Sequence, residues 1–165
     1  MDFTGTLNFS SATAQPQIGV PKLIRDARPL FGIHPLENAQ TLLLNDRGFL
    51  LTQAPSSVLD WSDPKEVRDT HYEEARLLAQ KLLPDFDIKP INSHTYRNES
   101  IKEHYWLDGI QYGPCVEFVH NDYADTLASD QRTIEKSFAE IMGMPTGKRV
   151  IGINIWRSVS NEPLE

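Results

Sequence analysis

The chain has 165 residues, room for one domain with an ordinary core, and its 39% hydrophobic and 24% charged residues are the balance of a globular protein. No apolar run is long enough to span a bilayer, and the first nine residues, Met-Asp-Phe-Thr-Gly-Thr-Leu-Asn-Phe, lack the basic and apolar regions of a signal peptide. A formal charge of −7 without a Lys/Arg cluster argues against nucleic acid as a partner, and the single cysteine, Cys115, rules out an internal disulfide and suits a reducing, cytoplasmic compartment.

In chain order, Thr4 to Phe9 alternates weakly and reads as a short strand, and Ser10 to Pro21 reads as a surface loop. Thr41 to Gln53 places two apolar runs around Asn45-Asp-Arg-Gly48, which predicts a β-hairpin with Gly48 at positive φ. Ser62-Asp-Pro-Lys-Glu66 is a helix start: a capping side chain, a proline whose missing N–H costs nothing, and acids at the positive end of the dipole. Val67, His71, Ala75, Leu78 and Leu82 then recur at helical spacing until Pro84, with His71 expected at the core boundary. Phe86 to Tyr96 is expected to be extended. Asp108-Gly109 marks a turn after Tyr105-Trp-Leu107, and Ser129 to Met142 is expected to form a second helix ended by Gly143.

Pro114 to Tyr123 is strand-like and carries His120 and Asp122 two positions apart. In an extended chain, residues i and i+2 share a face, so an imidazole and a carboxylate would project together with Val116 and Phe118 behind them. Such a pair with open positions beside it suits Fe(II), for which a second histidine completes a facial triad. The alternative is a strand-end histidine hydrogen-bonded to an acid, with no metal. His71 and Glu73 repeat the His-x-acid spacing on a helix, where i and i+2 diverge and cannot chelate one ion. No histidine follows His120, and His94 and His104 are the other candidates for a third ligand, or else ordinary hydrogen-bonded histidines. Arg149 to Arg157 is the most strand-like run. Ile151, Ile153 and Ile155 are expected to be buried on one face, with Gly152, Asn154 and Trp156 on the other lining a cavity or a sheet contact. Cys115 is expected to be a small buried residue.

His120-Asn-Asp-Tyr123, followed by Gly147-Lys-Arg-Val-Ile-Gly-Ile-Asn-Ile-Trp-Arg157 and preceded by Asp46-Arg-Gly-Phe49, resembles the iron- and 2-oxoglutarate-dependent oxygenases of the cephalosporin methoxylase-related and fungal gibberellin-desaturase-like type. The likeness also takes in Thr6-Leu-Asn-Phe9, Tyr72-Glu-Glu74 and Tyr96-Arg97, and so runs along nearly the whole chain as a single oxygenase-like domain, residues 1–165. It implies a mainly β fold, a double-stranded β-helix or jelly roll with helices outside. It also implies hydroxylation or desaturation of a small molecule of secondary metabolism, with Fe(II) and 2-oxoglutarate as cofactors. By the same resemblance His120 and Asp122 match the metal ligands, Arg157 and Arg97 lie at the cosubstrate, and Asn154 and Trp156 lie at the substrate. Members of that family continue to a distal histidine and an arginine beyond the Trp-Arg strand, whereas here the chain reaches Glu165 without them. An incomplete roll leaves an unpaired sheet edge through which a second chain would associate. The rival expectation is therefore a non-catalytic oxygenase-like subunit that pairs with a homologous enzyme.

Overall fold

The structure, a computed structural model, describes residues 2–9, 18–31, 38–89, 93–116 and 151–160. Its framework is the helical run predicted from Ser62 onward. Asp63 has extended dihedrals and its carboxylate accepts from the Lys65 amide at 2.8 Å, capping a helix that starts at Pro64. α3 (Pro64–Glu66) passes through a π-helical turn, Val67–His71, into α4 (Tyr72–Leu82). Val67, Ala75, Ala79 and Leu83 are buried on one side of this run. Burial of a side chain such as Leu83 contributes about 2 kcal/mol. At the far end the Leu83 amide closes on the Ala79 carbonyl at 2.9 Å, and Pro84 prevents continuation.

Against this run lies a three-stranded sheet in the order β3-β5-β4. β3 (Thr95–Arg97) is parallel to β5 (Ile110–Gly113), and β4 (Tyr105–Leu107) is antiparallel to it. Asp108 and Gly109 turn the β4–β5 hairpin with φ of 49° and 78°, the pair of left-handed residues that matches the twist of a two-residue hairpin. Tyr112 is the fully buried centre of the sheet. It stacks on Tyr105, its registered neighbour on β4, at 5.0 Å and leans against Tyr96, its neighbour on β3, at 5.5 Å. Its hydroxyl donates to the Ser62 carbonyl at 3.0 Å, and Arg68 Nη1 donates to the Asp108 carbonyl at 2.9 Å. Those two bonds fasten the sheet to the start of the helix.

A separate antiparallel ribbon pairs β1 (Phe3–Phe9) with β2 (Ile18–Ile24), from Phe3 opposite Ile24 to Phe9 opposite Ile18. The strand at Thr4 to Phe9 is as expected, but its partner includes residues read as loop. Gly19 and Pro21 break the apolar alternation of β2, and a two-stranded ribbon tolerates a proline because both strands have an outer edge. α1 (Arg28–Phe31) follows, with Arg28 forked onto the Asp26 carboxylate at 2.8 and 2.7 Å.

Three expectations are corrected. The hairpin over Thr41 to Gln53 does not form: α2 (Ala39–Thr41) widens into a π-helical turn, Leu42–Asp46, and residues 47–53 are neither helix nor strand. Gly48 does take positive φ, 71°, but it ends the helix there instead of turning a hairpin. Residues 151–160 form neither helix nor strand. Ile153 and Ile155, expected to be buried, are 42% and 38% exposed, because an apolar alternation makes a strand only where a ladder partner exists. Cys115, expected inside, is exposed.

The described residues therefore make a small mixed α/β domain whose two sheets, of two and three strands, do not close into a barrel. Among them no helix is long and apolar enough to cross a membrane.

Candidate functional site

The polar side chains concentrate where the π-helical turn meets α4. A π turn inserts an extra residue into one helical face, and such widened turns recur at functional sites. Here it ends at His71, with Tyr72 and Glu74 in the next turn. Residues three apart on a helix are neighbours, and His71 Nδ1 faces Glu74 Oε2 at 3.4 Å. Glu73, on the diverging face, forks instead with Arg76 at 2.7 Å for both contacts, so His71 and Glu73 do not act together, as their helical spacing predicts.

Glu74 is the anchor of this cluster. It accepts from the Ser56 hydroxyl at 2.5 Å and the Ser57 amide at 2.7 Å, stitching the preceding loop onto α4. These bonds, Ser56 foremost, hold its carboxyl down to about 2. Trp61 packs edge-on against the His71 ring at 4.9 Å, and the Arg157 guanidinium lies over Trp61 at 5.5 Å. Burial pushes the His71 imidazole below its ordinary pKa, and Arg157 adds to the effect against the opposing pull of Glu74.

Tyr72 projects to His94. Its hydroxyl meets His94 Nδ1 at 2.9 Å, with the two rings edge to face at 5.6 Å. Burial lowers the His94 pKa, and the neighbouring Arg68 and His71 lower it further, which favours the neutral imidazole. Burial raises the Tyr72 phenol, which keeps its proton. Among the described residues, the buried atoms His94 Nε2 and Arg157 Nε have no hydrogen-bond partner.

The sequence-predicted residues fall into separate settings. His120 and Asp122 lie outside the described residues, as do Phe118 and the helix expected over Ser129 to Met142. Arg157 joins the His71 cluster. Arg97, on β3, donates to the Pro114 carbonyl at 3.2 Å and faces His104 Nδ1 at 3.5 Å. Trp156 is 89% exposed and Asn154 is exposed. Among the described residues no group of three or more His, Cys, Asp or Glu is arranged to hold a metal ion.

Sequence reasoning did not assemble Ser56, Trp61, His71, Glu74 and His94, because they come from separate stretches of chain. Its available signal was the His71-x-x-Glu74 spacing, which places both groups on one helical face.

A family model described as an oxidoreductase/YMDC permease-like domain matches residues 10–165. No curated protein and no solved structure matches the chain.

Proposed function

Because the chain belongs to the oxidoreductase/YMDC permease-like domain family, we propose that it is an oxidoreductase of the Fe(II)- and 2-oxoglutarate-dependent class, oxidising a small organic molecule. The observation that supports this reading is Arg157, whose guanidinium rests on Trp61 with a buried Nε that has no hydrogen-bond partner among the described residues. A guanidinium held by an aromatic face and with an N–H to spare fits the carboxylate of a keto acid. His120 and Asp122 would hold the iron, an imidazole and a carboxylate being a donor set suited to it. Iron, when bound, supplies the coupling of dioxygen reduction to oxidation of the keto acid and the substrate. The chain's own part is to bind and orient. Arg157 fixes the cosubstrate by its charge, Arg97 steadies the Pro114 end of the segment that leads to His120, and Asn154 and Trp156 offer a polar and an aromatic contact to the substrate. The jelly roll and a cytoplasmic setting belong to this same proposal.

The test is consumption of 2-oxoglutarate by the purified full chain. It should depend on added Fe(II) and be abolished by His120→Ala; undiminished turnover by that variant would refute the metal assignment.

A second reading, a non-catalytic subunit that pairs with a homologous enzyme, is favoured by β4. Among the described residues, Tyr105, Trp106 and Leu107 lie on the outer strand of their sheet and are 47%, 68% and 45% exposed, an apolar edge of the kind that recruits another chain. Size-exclusion chromatography separates the two, since a monomeric, iron-loaded chain would exclude the subunit.

A further inference from the structure

Residues 151–160 have neither helix nor strand to hold them, and Ile151, Arg157 and Val159 are half-buried while the others are exposed. Arg157 is where this segment meets the helical framework, its guanidinium lying over Trp61 at 5.5 Å. His71 packs edge-on against the same indole at 4.9 Å. One ring therefore adjoins both a permanent cation and a group that gains a charge in mild acid. The hold of Arg157 is shallow. Its Nε is buried with no hydrogen-bond partner among the described residues, and an unpaired buried N–H costs about what a cation–π contact returns. A new positive charge nearby weighs against a small margin.

A proton arriving at His71 is only partly neutralised in place. Glu74 Oε2, 3.4 Å from Nδ1, can only accept, so the neutral ring carries its proton on Nδ1 and the next one goes to Nε2. Glu74 is also tied to Ser56 and Ser57, and its carboxyl, held down to about 2, stays ionised throughout the histidine range. Facing His71 from the other elements are Arg157 at Trp61 and, beyond Tyr72, His94 with Arg68 near it. Asp60, next to Trp61 in the chain, is engaged by the hydroxyl and amide of Ser62.

We propose that residues 151–160 are a pH-sensitive strap: Arg157 latches the segment onto Trp61 while His71 is neutral, and protonation of His71 releases it. The direction follows from linkage. Burial is the larger cause of the lowered His71 pKa, and the latched guanidinium lowers it further, so the unlatched form takes up the proton more readily. The latch is therefore at full strength above the ordinary histidine value of 6.5 and weakens as the pH falls below it. Acid thereby withdraws Arg157 from the His71 cluster. The inference needs neither iron nor keto acid and does not rest on the proposed oxidation.

The experiment is a metal-free NMR titration of the full chain from about pH 8 to about pH 4, following the His71 imidazole and the backbone amides of Gly152, Ser158 and Val159. In the wild type, which needs no variant to fold, the three amides should shift with the His71 midpoint. Arg157→Gln should raise that midpoint, and at neutral pH its strap amides should already stand near their wild-type acid positions. His71→Gln should abolish the acid shift of the amides. Amides indifferent to the His71 midpoint, a midpoint unchanged or lowered in Arg157→Gln, strap amides of that variant at their wild-type neutral positions, or an acid shift that survives in His71→Gln would overturn the proposal. Iron plays no part in these readouts, so a failure here and a failure of the His120 test are distinguishable.

Discussion

Replacing Glu74 by Gln removes the charge that ties the loop at Ser56 and Ser57 to α4. The carboxylate accepts at 2.5 Å from Ser56 and at 2.7 Å from Ser57, and hydrogen bonds to a charged acceptor contribute about 1.5–3 kcal/mol each. The side chain is 28% exposed, however, and solvent screening brings the net effect to about 2 kcal/mol. The proton linkage gives the same order: a carboxyl held at about 2 instead of its ordinary 4.5 contributes at most about 3 kcal/mol before that discount. Its folded pKa is the lower one, so the stabilisation is fully present above pH 4.5 and is lost as the pH falls toward 2. Urea unfolding followed by far-ultraviolet circular dichroism reads this directly. Glu74→Gln should be about 2 kcal/mol less stable than the wild type at neutral pH, with the gap closing between pH 4.5 and 2. Equal midpoints at neutral pH, or a gap that persists unchanged in acid, would refute the reasoning.

Two further substitutions probe the same region and the sheet. Tyr72→Phe deletes the 2.9 Å bond to His94 and should cost about 1 kcal/mol, read as a lower Tm; an unchanged Tm would mean that the bond contributes nothing. In Gly113→Ala the new Cβ would collide with the His104 ring, so the ring must swing away from β5. Because His104 is exposed and free to move, the stability cost should stay below about 1 kcal/mol. The His104 imidazole NMR signals should shift as the contact with Arg97 is lost, and unmoved signals would contradict the packing.

What the sequence revealed follows from how local each signal is. The helix from Pro64 to Leu82 was legible because its cap, its proline and its apolar spacing all lie within the helix itself. The Asp108-Gly109 turn was legible for the same reason. Leu42-Leu-Leu44 was misread because a short apolar run fits helix and strand alike, and the turn residues after it stop either one. Ile153 and Ile155 show the complementary failure: their alternation is local, but a strand also needs a distant ladder partner. The His71 cluster depends on side chains from separate stretches of chain, from Ser56 to Arg157, meeting in space. Helical spacing supplied the His71–Glu74 pair, while Ser56, Trp61, His94 and Arg157 had to await the fold.

The most direct test of the iron reading is anaerobic equilibrium dialysis of the full chain against Fe(II), followed by metal analysis. About one bound Fe(II) per chain, lost in both His120→Ala and Asp122→Ala, is the expected result. No iron in the wild-type chain, or iron retained undiminished by both variants, would contradict it.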